Sequence, residues 1–152
     1  MAELDTNELE KILGSTHSSD YSSFVKANDD SMIDMSNDFI SEFKSHIASQ
    51  GISQKELFTM ADIPEGYGYK LLSGEKKTLK RDVILRIAIA SRMDLKQTQR
   101  LIRKYNLPEL YAKMKRDALI MMAINEHKSI NETNALLHSN SLDILDRPGA
   151  KE

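Results

Sequence analysis

A chain of 152 residues, 40% of them apolar and 29% charged, is long enough for one well-buried domain and too short for two large ones. It has no cysteine, which excludes a disulfide framework, a thiolate metal site and a cysteine nucleophile, and nothing in it points to an oxidising compartment. The net charge of −2 conceals a division along the chain: residues 1–37 hold eight acids against two bases, residues 38–117 sixteen bases against ten acids, and residues 118–152 five acids against three bases. A basic centre between acidic ends suits a polyanion partner.

The first ten residues are acidic and lack an apolar leader-like stretch, and no run approaches the roughly 20 apolar residues of a spanning helix, so a cytoplasmic chain without membrane contact is expected. Asp5-x-x-Glu8 starts a short amphipathic helix from about Asp5 to Leu13, with Leu9, Ile12 and Leu13 on one stripe and Gly14 as its stop. Residues 15–32 are polar and serine-rich; they read as a solvated linker with at most one weak helical turn around Tyr21 to Val25, phosphorylation being the alternative use of its serines. Residues 1–35 therefore form an acidic N-terminal helix and linker.

From Ser36 the texture changes. Phe39, Ile40, Phe43 and Ile47 recur at three- and four-residue steps after a Ser36/Asn37 cap, and Gly51 ends the run. Ser53 with Glu56 forms the pattern of a capping box, opening a helix that reaches Ala61; Asp62-Ile63-Pro64 turns the chain, with Pro64 suited to the first position of the next helix. That helix, PEGYGYKLLS, stops at Gly74 and is followed by Lys76, Lys77, Lys80 and Arg81. Helix, tight turn, helix, glycine and basic loop resemble the helix-turn-helix of the phage-repressor (XRE) type over about Phe39 to Met93. Gln54, Glu56 and Leu57 match that family's first motif helix, and Leu71 and Gly74 match the end of its second.

Three residues depart from the family pattern. Phe58 replaces a small residue in the first motif helix, Gly68 replaces a branched one in the second, and Asp62 stands where glycine is usual. The resemblance implies that Phe58 and Gly68 face each other, and a ring over a glycine keeps the volume of the crossing, so Phe58 is expected to pack on Gly68. Asp enters the left-handed region at modest cost, so the turn is expected to survive.

Carried onto this chain position by position, the resemblance implies major-groove contacts from Glu65, Gly66, Tyr67 and Lys70, with phosphate contacts from Gln54, Lys77 and Lys80. Lys70 suits guanine and Glu65 suits cytosine N4, while Gly66 would let the backbone approach the duplex. Against this, Glu65 is repelled by phosphate, and two glycines weaken one short helix. The competing reading is a protein-docking face around Tyr67 and Tyr69, since tyrosine is enriched at interfaces.

Residues 79–110 align without a gap on residues 114–145, at an offset of 35. Lys80-Arg81-Asp82 recurs as Lys115-Arg116-Asp117, and Thr98, Leu101, Leu107 and Leu110 recur as Thr133, Leu136, Leu142 and Leu145. Each copy reads as a helical hairpin, with Asp94/Gln97 and Ser129/Glu132 as corresponding capping boxes. The first copy completes a helix-turn-helix domain of residues 36–110. The second, residues 111–146, rich in Met121, Met122, Leu136 and Leu137, must bury its face on that domain or on another chain as a homodimer. The recurring Arg-Asp reads as local stabilisation of a first helical turn. Residues 147–152 read as a disordered tail.

His17, His46, His127 and His138 lie on separate elements without ligand-like spacing, and no phosphate loop or nucleophile motif is present, so neither catalysis, metal nor cofactor is expected. The wider chain resembles XRE-like proteins of Gram-positive bacteria that carry GYGYKLLSGEK and a second Arg-Asp hairpin. The expected fold is all-α, a lambda-repressor-like helix-turn-helix bundle extended by a duplicated hairpin. The expected function is sequence-specific binding of double-stranded DNA in transcription regulation; the alternative is an adaptor that uses the same fold, or the C-terminal hairpin, to bind protein, controlled through its N-terminal segment.

Overall fold

The computed structural model describes residues 4–28, 32 and 38–148, residues 38–40 by backbone alone, and among them the regular structure is entirely helical. The chain divides into two units, residues 1–34 and 35–152.

In the first unit, α1 (Thr6–Gly14) opens on the capping box expected of Asp5 and Glu8, the Asp5 side chain accepting from Glu8 N–H at 2.7 Å and Glu8 accepting from Asp5 N–H at 3.0 Å. A 3-10 turn over Ser18–Asp20 leads into α2 (Tyr21–Ala27). The sequence suggested at most one weak turn here; two form. His17 Nδ1 caps the entry by accepting from Ser19 N–H, Phe24 is buried, and the Asn28 side chain closes the exit on the Phe24 carbonyl.

The second unit contains α3 (Asp38–Ser49), α4 (Gln54–Ala61), α5 (Glu65–Ser73), α6 (Arg81–Ala90), α7 (Leu95–Lys104), α8 (Lys115–Asn125) and α9 (Ile130–Ser139). Phe43 and Ile47 of α3 are buried as their spacing predicts, whereas the Ser36/Asn37 cap and the side chains of Phe39 and Ile40 lie outside the described residues. Helix α6 is the axle of the unit: every residue from Val83 to Ala90 is buried, and it packs on α4, α7 and α9. One core cluster runs from Phe43 through Leu57, Leu71, Ile84 and Leu101 to Ile120, Leu137 and Leu145, so the second hairpin buries its face on the domain and is no separate body. Its inward stripe is Asp117, Ile120, Ala123 and Ile124, at helical spacing. Of the four residues expected to carry the face, Leu137 is fully buried and Met121 packs half-buried against the core, whereas Leu136 is half-buried outside the cluster and Met122, 56% exposed, falls outside the stripe.

The repeat is structural as well as sequential. Helices α7 and α9 are 35 residues apart at both ends, α6 and α8 end 35 residues apart, and left-handed residues follow in register at Arg92 and His127, then at Asn106 and Ser141. Both predicted capping boxes form.

The two copies meet through their Arg-Asp pairs. Arg81 donates to both oxygens of Asp117 (3.1 and 2.5 Å) and to the carbonyls of Pro108 and Glu109; Arg116 donates to both oxygens of Asp82 (3.0 and 2.8 Å) and to the carbonyls of Asp143 and Ile144. Asp117 accepts from Tyr111 N–H and Asp82 from Asp146 N–H, each at 2.9 Å. Adding or subtracting 35 converts each contact into its counterpart in the other copy, and α6 packs on α9 as α8 packs on α7. The hairpins are therefore exchanged by a local two-fold. This corrects the local reading of Arg-Asp: the pairs are long-range, bidentate and crossed. Burial lowers the pKa of Arg116, but the hydrogen bond and charge of Asp82, with Asp117 and Asp143, raise it on balance.

Arg86 breaks the symmetry, since the second copy has Met121 in its place. The residue is 3% exposed and donates to three carbonyls, Ala61 (3.1 Å), Leu145 (2.7 Å) and Asp146 (2.8 Å), tying the end of α4 to the segment after α9. Burial, with the charge of Arg147, lowers its pKa against the opposing pull of Asp62, Asp82 and Asp146. Arg86→Met, which leaves those carbonyls without their donor, is expected to cost about 2–3 kcal/mol and to lower the melting temperature by roughly 10 °C in thermal circular dichroism; an unchanged melting temperature would show that the three bonds add nothing net.

Candidate nucleic-acid interface

Helices α4 and α5 meet across the turn 62–64. Ser53 caps α4 by accepting from Glu56 N–H at 3.1 Å, but only this half of the expected capping box forms. Asp62 adopts φ 55°, ψ 49°, the left-handed conformation proposed for it, and Ile63 N–H returns to the Phe58 carbonyl at 3.0 Å, fixing the sharp exit from α4. Pro64 lies one residue earlier than expected: it caps α5 from an extended conformation (φ −54°, ψ 132°), and its carbonyl accepts from Gly68 N–H.

Phe58 packs on Gly68. A Cβ added at Gly68 would lie 2.5 Å from Phe58 Cδ1 and 2.7 Å from Cζ, with Cε1 closer still, and the ring is 1% exposed. Tyr69 covers the same ring edge-on, 5.1 Å between centroids at 81°.

The outward side of α5 carries Glu65, Gly66, Tyr69 and Lys70, all exposed, while Tyr67 is half-buried. A Cβ at Gly66 would meet nothing within 4 Å, so the free protein does not need glycine there for space. Desolvation, then the charge of the Glu65 carboxylate and its acceptance of the phenol's hydrogen bond, pushes the Tyr69 phenol up. Tyr67 lies under Lys76, whose Nζ stands 4.7 Å from the ring centroid. Beneath it Tyr105 donates to the Leu71 carbonyl at 3.1 Å, and burial, then the neighbouring Tyr67, pushes its phenol up to about 12. Gly74 ends α5 at φ 83°, and Lys76 N–H reaches the Lys70 carbonyl, folding the basic loop back against the helix.

Of the proposed phosphate contacts, Gln54 opens α4 half-buried and Lys77 is exposed. Lys80 is instead turned to the end of the chain, donating to the Arg147 carbonyl at 3.2 Å and standing 3.9 Å from Asp146. Arg147 in turn pairs with Asp62, so the expected disordered tail has an ordered start at Arg147 and Pro148; residues 149–152 lie outside the described residues. Sequence reasoning missed Lys76 over Tyr67, which needs the loop to fold back, and Arg86, whose signal was a lone arginine within the apolar run 83–90.

No helix among the described residues is long and apolar enough to cross a membrane. Comparison of the chain with protein-family models, with curated proteins and with solved structures finds no match.

Proposed function

We propose that this chain is a sequence-specific DNA-binding regulator of the XRE type, with a lambda-repressor-like arrangement of α3 to α7. The observation that carries the reading is the outward side of α5. An exposed stretch of Glu65, Gly66, Tyr69 and Lys70, with open space over Gly66, follows the turn at 62–64 and precedes a loop bearing Lys76 and Lys77. Such a helix presents base-reading groups at its start while cations beyond its end meet phosphates. The basic balance of residues 38–117 supplies the long-range attraction.

The test is selection from a random duplex library, followed by affinity against salt for the intact chain and its variants. Lys70→Ala is expected to relax the selected motif at one position. The double change Lys77→Ala, Lys80→Ala is expected to flatten the salt slope by between about 1 and 2, the lower value if Lys80 stays with Asp146 when DNA binds. Gly66→Ala is expected to stabilise the free protein by up to about 1 kcal/mol while weakening DNA binding, a split that only close backbone approach produces. If no motif is enriched and weak binding vanishes near physiological salt, the reading fails and the Tyr67/Tyr69 side becomes a candidate protein-docking face.

A further inference from the structure

We infer that one molecule engages its duplex alone, at a single asymmetric site, because the second hairpin of the chain fills the place that a partner chain would take. The site class rests on the DNA-binding reading; the state of assembly does not.

Two hairpins related by translation would leave an open face at each end and invite further copies, as in a solenoid. Two hairpins related by a two-fold close on each other. The contacts here are of the second kind. Arg81 meets Asp117 and Arg116 meets Asp82, each guanidinium also takes two carbonyls that follow its own hairpin, and each carboxylate takes one backbone N–H from the corresponding position, 111 or 146. The first hairpin alone is self-complementary by this pattern, since its Arg81 and Asp82 offer the same groups as Arg116 and Asp117. Two separate chains carrying one hairpin each would pair isologously through this face. In this chain the face is consumed: the side chain of Asp117 is 6% exposed and that of Asp82 15%, and the apolar residues behind them belong to one shared core.

A dimeric helix-turn-helix protein reads paired half-sites because its two-fold matches the palindrome. A particle with one α5 has no such symmetry and no means of spanning two half-sites one turn apart.

Sedimentation velocity of the full chain across a wide concentration range is expected to give a single species of 17.3 kDa, and one molecule per selected duplex. The selected motif is expected to lack inverted symmetry. A duplex carrying two inverted copies one helical turn apart is expected to bind two molecules with unchanged intrinsic affinity for each. A dimer in solution, or cooperative two-to-one binding on an inverted repeat, would overturn the inference and leave the DNA reading intact. A monomer that enriches no motif would withdraw the asymmetric site together with the DNA reading, while supporting the closed face.

Discussion

Asp117→Ala is expected to cost the second unit about 3–5 kcal/mol, a fall of roughly 12–20 °C in melting temperature. The carboxylate accepts two bonds from Arg81 and one from Tyr111 N–H, and the residue is 4% exposed. Alanine removes the acceptor but not the donors, so a guanidinium whose side chain is 20% exposed keeps the carbonyls of Pro108 and Glu109 but loses its counter-charge, and the Tyr111 N–H loses its acceptor. The cost of a charge left without its counter-ion, more than the worth of the pair, sets the size of the effect. Removing both charges separates the two: Arg81→Met with Asp117→Leu is expected to recover most of the stability, because an apolar pair of similar volume avoids the desolvation of two ions. Urea unfolding of the single and double variants measures this. A single-variant loss under about 1 kcal/mol would show that the crossed pairs orient the hairpins without holding them.

Gly68→Ala is expected to destabilise by about 2 kcal/mol, against the usual rule that alanine improves a helix interior. The propensity gain of up to about 1 kcal/mol is outweighed by a methyl group placed inside the Phe58 ring contact. The ring cannot swing aside, since it is 1% exposed with Tyr69 against its edge. In a Phe58→Ala background the sign is expected to reverse, with Gly68→Ala stabilising the protein, although that background itself loses about 3–5 kcal/mol. The coupling between the two positions is then at least about 2 kcal/mol, read from four melting curves. An equal cost of Gly68→Ala in both backgrounds would mean that the methyl group clashes with something other than the ring.

Both expectations bear on the helix-turn-helix reading in different ways. The Phe58/Gly68 pairing was legible because the resemblance implies that the two positions face each other and their sizes compensate, and the structure bears that pairing out. The crossed pairs were legible only as a recurrence: the sequence contains Arg81-Asp82 and Arg116-Asp117 but does not say that each arginine passes over its neighbouring acid to reach the other copy. The second hairpin shows the same limit. Its apolar content predicted a buried face, yet which residues form it depends on the rotation of α8, and the structure chooses Ile120, Ala123 and Ile124 over Met122.

Features settled within one or two helical turns were legible in the residues alone. The capping boxes at Asp5/Glu8, Asp94/Gln97 and Ser129/Glu132 follow from residue type and spacing, because their donors and acceptors are neighbours along the chain, though Ser53/Glu56 completes only half of its box; the left-handed Asp62 follows from the turn position that the resemblance implies. The partners of Arg81, Arg86 and Arg116, the turning of Lys80 toward Asp146 and Arg147, and the placing of Lys76 over Tyr67 are set by long-range folding instead. A long basic side chain reaches many acceptors of similar strength, and which one it takes is set by where the chain returns and by how much water that return removes.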